Sequence, residues 1–174
     1  ITMVGTRSAT EYGLASAYRL SHDLAAAGCT VVSGLATGID TASHAGALQA
    51  SGRTIGLLAC GLDVDYPSAS GELKRRILDA GGALVTEFPF GTGVNRGSFS
   101  IRNRLLSGIA VGVVVVQAPE RSGALITARY ALQQNRDVFA VPGEIFDPSM
   151  AGCNKLARDG AKVVVNVYSI LEEY

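Results

Sequence analysis

With 174 residues, 48% of them hydrophobic and 17% charged, the chain has the composition of a globular domain with room for a core, not of a disordered segment. Lysine plus arginine and aspartate plus glutamate number 15 each, so the formal net charge is zero. That balance excludes a uniformly basic polyanion binder; a nucleic-acid ligand would need cations gathered on one face. Cys29, Cys60 and Cys153 have no metal-ligand spacing and read as reduced thiols of a cytoplasmic protein. No apolar run reaches membrane length, so no membrane association is expected.

Strand-like and helix-like segments alternate along the whole chain. Thr2 to Val4 is a short apolar strand ending at Gly5-Thr6-Arg7, and Thr10 is a plausible N-cap for a helix to Ala27, with Leu14, Tyr18 and Leu24 near one face. The second strand is Thr30 to Ser33. Gly34 to Gly38 is a loop, and Asp40 or Thr41 caps a second helix that Gly52 ends. Thr54 to Leu58 is the third strand, followed by a turn through Gly61 and Pro67 and a helix from Ser70 to Ala80. Ala83 to Thr86 is the fourth strand and Glu87 to Ser98 a Gly/Pro-rich loop. A short helix at Ile101 to Ser107 leads to the fifth strand, Gly112 to Val116. A helix over Gly123 to Gln134, a strand over Asp137 to Val141, a short helix near Asn154 to Arg158, a strand over Lys162 to Val165 and a helical turn complete the series. The solid valine of the strands at Val113 to Val116 and Val163 to Val165 predicts burial on both faces.

This alternation predicts one α/β domain over residues 1–174. It is an extended Rossmann-like fold, with a mostly parallel sheet covered by helices on both faces. Because the chain opens directly on a strand at Ile1, it reads as a domain excised from a longer protein.

In an open parallel sheet, ligands bind beyond the carboxyl ends of the strands. Those ends supply Gly5-Thr6-Arg7, Ser33-Gly34 with Gly38 and Asp40, Phe99 with Arg102-Asn103-Arg104, and Ser122-Gly123. Glycines allow close approach, hydroxyls and helix-start amides donate hydrogen bonds, and arginines fork onto phosphate. The plainer reading is that strand-to-helix turns use Gly and Ser for tight geometry. Two arginines at 102 and 104 can contact successive phosphates, and Phe99 can stack on an unpaired base; alternatively Phe99 belongs to the core. Lys74-Arg75-Arg76 reads as a solvated helix face.

No phosphate-binding P-loop is present, and the first turn carries Arg7 where a dinucleotide fingerprint needs glycine. No cofactor is therefore expected. Asp40 with His44 invites an acid/base reading, but a capping aspartate and a helix-face histidine are the commoner explanation. Glu87 reads as a carboxylate paired with an arginine or with loop amides. No catalytic set assembles, so no enzymatic activity is expected.

Taken in order, these segments resemble the DprA (Smf) DNA-processing family. The resemblance is carried by Val4-Gly5-Thr6-Arg7 with Tyr12-Gly13, by Val32-Ser33-Gly34-Leu35-Ala36-Thr37-Gly38-Ile39-Asp40 with Ala42 and His44, and by Gly61-Leu62-Asp63 to Tyr66-Pro67. Phe99 to Arg104, Ser122 to Ala128, Arg136 to Gly143 and Gly152 to Ala161 follow. The resemblance implies a dimeric cytoplasmic protein without catalytic activity that binds single-stranded DNA, protects incoming strands in natural transformation and loads the recombinase RecA. By position it implies DNA or phosphate contacts from Arg7; from Ser33, Gly34, Gly38 and Asp40; from Arg102, Asn103 and Arg104; and from Ser122, Gly123 and Thr127, to which the strand-end loops add Gly5, Thr6 and Phe99. The family's F-P-x-R-N-R appears as Phe99-Ser100-Ile101-Arg102-Asn103-Arg104, without its proline, and Ala124 replaces a usual serine. The competing reading is a nucleotide-cleaving enzyme of the lysine-decarboxylase-like phosphoribohydrolase type, whose P-G-G-x-G-T-x-x-E run is absent.

Overall fold

The computed structural model describes residues 1–174. Seven parallel strands form one sheet: β1 (Thr2–Gly5), β2 (Val31–Ser33), β3 (Thr54–Leu57), β4 (Ala83–Val85), β5 (Gly112–Gln117), β6 (Asp137–Ala140) and β7 (Lys162–Val163), in the spatial order β4-β3-β2-β1-β5-β6-β7. The helices are α1 (Glu11–Ala26), α2 (Ile39–Gln49), α3 (Gly71–Asp79), α4 (Arg96–Gly108), α5 (Gly123–Gln133), α6 (Ala151–Arg158) and the single turn α7 (Tyr168–Leu171). The predicted extended Rossmann-like sheet is therefore present, and it is parallel throughout.

The valine run of β5 shows why both faces are covered. Successive strand side chains point to opposite faces. Val114 and Val116 join Met3, Leu20, Leu24, Ile39 and Phe139 beneath α1, α2 and α7. Val113 and Val115 join Val4, Leu106, Ala128 and Cys153 beneath α4, α5 and α6. All four valines are fully buried, each contributing about 1.5–3 kcal/mol of burial free energy. The second valine run behaves differently. Val164 is buried, but Val163 and Val165 are 45% and 75% exposed. Strand β7 is an edge with one neighbour, so burial on both faces, expected from composition, is not found there.

Several boundaries follow local hydrogen bonding that the hydrophobic pattern does not display. Helix α4 starts at Arg96, five residues before the predicted Ile101, because Asn95 and Ser98 form a reciprocal capping box. Helix α6 starts at Ala151 rather than near Asn154, since the Gly152 amide docks on the Ala118 carbonyl at 2.8 Å. Thr10 caps α1 as predicted, its Oγ1 accepting from the Gly13 amide. Leu14 and Tyr18 are partly exposed, however; the buried face of α1 runs through Ala17, Leu20, Ser21 and Leu24. Neither Asp40 nor Thr41 caps α2. Gly38 does, at φ +80°, where a β-carbon would lie 2.5 Å from the Thr6 carbonyl oxygen.

Gln117, at the end of β5, joins the loops around the sheet's centre. Its Oε1 accepts from the Thr10 amide, and its Nε2 donates to Thr10 Oγ1 and Ser149 Oγ. The Thr6 amide donates to the Gln117 carbonyl at 2.8 Å. No helix is long and apolar enough to cross a membrane.

Candidate nucleic-acid interface

Strand β1 lies between β2 and β5. The chain winds outward from β1 through β2, β3 and β4, then returns to β5 and winds the other way. The carboxyl ends of β1 and β5 therefore flank the topological switch point, where helix starts diverge and leave a crevice. The crevice has two parts that share Arg7, Ala36, Phe99 and Arg102. The smaller part, a cavity of about 140 Å³, is walled by Leu35, Leu58, Tyr66, Pro67 and Phe99. The larger, about 350 Å³, is polar and lined by Thr6, Asp40, Asn103, Arg121, Ser122, Gly123 and Thr127.

The apolar part is shaped by Leu35, a non-glycine residue at φ +62° whose side chain is buried against Gly56. Phe99, half-buried in the first turn of α4, forms the wall between the two parts. Its ring meets Tyr66 with centroids 6.0 Å apart, and the Arg7 guanidinium sits 4.9 Å over its face. A planar apolar group entering here meets aromatic surface beside a cation.

In the polar part, Ser122 caps α5, its Oγ accepting from the Ala124 amide. The Gly123 amide, at the first helical position, has no intrahelical carbonyl to donate to. Asn103 Nδ2 donates to the Gly123 carbonyl at 3.2 Å, fixing α4 against this helix start. The Thr127 hydroxyl, one turn further in, is buried without a partner although its residue lines the crevice. Arg7 and Arg121 are exposed and form no ion pair. By contrast Arg19, Lys74, Arg75, Arg104, Lys155, Arg158 and Lys162 all have carboxylate partners. Zero net charge thus coexists with a crevice into which Arg7, Arg102 and Arg121 converge beside the single carboxylate of Asp40.

Arg102 has a different place from the one its motif suggests. It is 5% exposed, and its Nη1 donates to the Gly34 and Leu57 carbonyls at 2.7 and 2.8 Å. It ties α4 to the loop after β2 and to the end of β3. Its Nε is buried without a partner, and Nη2 makes no hydrogen bond within the protein. Arg104 points elsewhere, its Nη2 donating to Glu87 at 2.7 Å outside the crevice. Two residues on a helix are about 200° apart, so successive phosphate contacts from Arg102 and Arg104 are not geometrically available. Ser33 is also fully buried; its hydroxyl donates to the Met3 carbonyl and ties β2 to β1. Gly38 supports the crevice from behind, against Thr6 and Arg7. The structure brings together Gly5, Thr6, Arg7, Gly34, Asp40, Phe99, Arg102, Asn103, Ser122, Gly123 and Thr127, and leaves Ser33, Gly38 and Arg104 out of the lining.

Among the lining residues outside the candidate contact set, Arg121 and Tyr66 carry the most ligand chemistry. Arg121 precedes the helix cap of α5 at a strand end, a position that was itself a signal. Tyr66 lies well beyond β3 and reaches the site through a turn whose path sequence does not reveal.

Asp40 and His44 do not form an acid/base pair. Asp40 Oδ2 accepts from the Gly34 and Ala36 amides, and burial raises its pKa against the lowering effect of Arg102. His44 is fully buried. Its Nδ1 meets Thr54 Oγ1 at 2.7 Å, and that hydroxyl already donates to the Val31 carbonyl. The ring is therefore the Nδ1–H tautomer, and Nε2 has no partner. Burial, with the Arg102 charge adding to it, pushes the His44 pKa down to about 3. The unfolded chain takes up this proton near pH 6.5, so the neutral buried ring favours folding above that pH, and this stability is lost as pH falls toward 3. Asp40, raised, contributes with the opposite sign. Urea unfolding between about pH 7 and about pH 4 is expected to show stability falling with acidification, and falling less steeply in His44→Gln. Parallel slopes for the two proteins would show that the histidine is not responsible.

Fold and crevice together define a class: an all-parallel α/β domain with an arginine-lined cleft at its switch point. Within that class the chain belongs to the DNA recombination-mediator protein A family, which it matches over residues 1–174. It is 44% identical over 173 residues to the DNA processing protein DprA of Bacillus subtilis, covering 99% of this chain and 58% of that protein. The structure of DNA processing protein A from Streptococcus pneumoniae superposes with a TM-score of 0.90 at 38% identity, covering 99% of this chain and 60% of that one. DNA processing protein A from Helicobacter pylori, which has a described single-stranded DNA binding mode, superposes with a TM-score of 0.86 at 29% identity, covering 99% and 80%. The chain thus spans little more than half the length of the Bacillus relative.

Proposed function

We propose that the switch-point cleft binds single-stranded DNA, with bases against the Tyr66–Phe99 wall and phosphates at Arg7, Arg121 and the start of α5. The observation that carries this reading is the Arg7 guanidinium over the Phe99 face, 4.9 Å away, beside the unpartnered Thr127 hydroxyl and the open Gly123 amide. An unpaired base has a free face for the aromatic wall; a duplex hides its bases in the stack. The described DNA binding mode of the Helicobacter protein supports the reading.

The whole protein to which this domain contributes then serves DNA processing as a cytoplasmic homodimer. It protects incoming strands during natural transformation and competence, and hands them to RecA for recombination. It acts by binding, without a catalytic step. Asp40 and His44 are committed to loop amides and to Thr54, and Glu87 to Arg104. The one carboxylate lining the cleft, Asp40, is held through Oδ2 by the Gly34 and Ala36 amides, which counts against the phosphoribohydrolase reading.

The test is fluorescence anisotropy of a labelled oligothymidine and of a matched duplex at about 50 and about 200 mM salt. The single strand is expected to bind more tightly, with affinity falling steeply as salt rises, because phosphate contacts release counterions. Equal affinity at both salts, or a preference for duplex, would overturn the proposal. Release of free base from a panel of nucleotides would restore the enzyme reading.

A further inference from the structure

The cleft does not close at Ser122. A second groove, about 580 Å³, lies between α5 and α6, and its upper end is lined by the same Arg121, Ser122 and Gly123 that line the cleft. From there it runs down α5 past Arg129, about 9 Å along the helix axis from Gly123, with Lys155 on the facing side of α6.

The charges in this groove are unequally committed. Arg121 and Arg129 are exposed and unpaired. Lys155 meets Glu120 at 3.7 Å, with side chains 50% and 70% exposed. Such a loose surface pair is worth about 0–1 kcal/mol and yields readily to a phosphate. Asp159, the other acidic residue, is held by Arg158 at 2.8 Å. Leu125, Ile126, Leu132 and Leu156 form an apolar floor, and the unpaired charges on the rim, Arg121 and Arg129, are both positive and continuous with the cleft through the shared Arg121, which suits the phosphates of a polyanion.

We infer that the groove between α5 and α6 is an exit track for the same strand, in which Arg121 turns the backbone out of the cleft and Arg129 and Lys155 hold the next phosphates. This rests on the proposed reading of the cleft and adds a second binding site, of sequence-independent backbone recognition, to it. Arg129 and Lys155 contribute nothing to a ligand that stays within the cleft, so their effect depends on oligonucleotide length.

The experiment measures anisotropy for oligothymidines from about 4 to about 16 nucleotides with the wild-type chain, Arg129→Glu, Lys155→Glu and Arg7→Ala, each first checked for native circular dichroism. The groove variants are expected to bind the shortest oligomer like wild type. For the longest they should lose about tenfold in affinity, with a salt slope shallower by about one per contact removed. Arg7→Ala should weaken every length. Groove variants that keep wild-type affinity and slope for the longest oligomer, while Arg7→Ala weakens it, would overturn the exit track and leave the cleft reading standing. The same holds if the groove variants change the sedimentation coefficient without changing the length dependence, since the groove would then be a contact with a second copy. A wild-type chain that binds no length removes the cleft reading itself, and the track with it.

Discussion

Arg102→Ala is expected to lower the unfolding free energy by about 3 kcal/mol or more, the largest single loss from any residue of the cleft. The guanidinium is almost wholly buried and satisfies the Gly34 and Leu57 carbonyls with one nitrogen. Its charge also offsets that of the buried Asp40 carboxylate. Alanine leaves two buried carbonyls short of a donor, at about 1–3 kcal/mol for an unsatisfied group, and Asp40 without its nearby cation. Gly34 is packed so closely on this side chain that a β-carbon there would overlap Nη1. Urea unfolding of wild type, Arg102→Ala and Arg102→Met measures this. The methionine variant keeps part of the packing and none of the hydrogen bonds, and should recover only a fraction of the loss. A loss no larger than about 0.5 kcal/mol, the range of ordinary surface changes, would show that the fold does not depend on Arg102.

Arg7→Ala and Phe99→Ala are expected to reverse that balance. Arg7 is exposed and bonds no carboxylate, so its removal should change stability by no more than about 0.5 kcal/mol. Binding of single-stranded DNA should weaken across sequences alike, and the salt dependence should lose about one unit of slope. Phe99→Ala removes the stacking wall, at about 1–3 kcal/mol per base, or roughly 5- to 150-fold in affinity, with the salt slope little changed. Because Arg7 lies on the Phe99 face, the two losses should not add. The double variant is expected to fall short of the sum, by a coupling that reflects their contact. Strict additivity in anisotropy titrations would mean that the pair separates before DNA binds. A Phe99→Ala protein with wild-type affinity would remove the base from this wall.

These contrasts show how the motif at residues 102–104 divides. The sequence presents Arg102-Asn103-Arg104 as one basic run. Helical geometry turns its members to different sides: Arg102 inward to two carbonyls, Asn103 to the Gly123 carbonyl, Arg104 outward to Glu87. Spacing announces that these side chains fan out, but not which direction faces the ligand. That depends on where β3 and α5 lie, and both are distant in sequence.

The layer order was legible in the sequence, and so was the gathering of candidate residues at one end of the sheet. Alternating strand and helix periods, with a valine run at β5 too apolar for any half-exposed strand, require a sheet buried beneath helices on both faces. Once the strands are parallel, their carboxyl ends must gather the glycines, the hydroxyls and Arg7 at one edge. The tertiary structure decided the rest through long-range placement. It made β7 an edge, so that Val163 and Val165 face outward despite a composition like that of β5. It turned Ser33 and Gly38 into supports and brought Tyr66 and Arg121 into the lining. The physical reason is the same in each case. Burial and hydrogen-bond partners belong to neighbours in space, and a linear pattern specifies a side chain's period along its element but not what the chain later lays beside it.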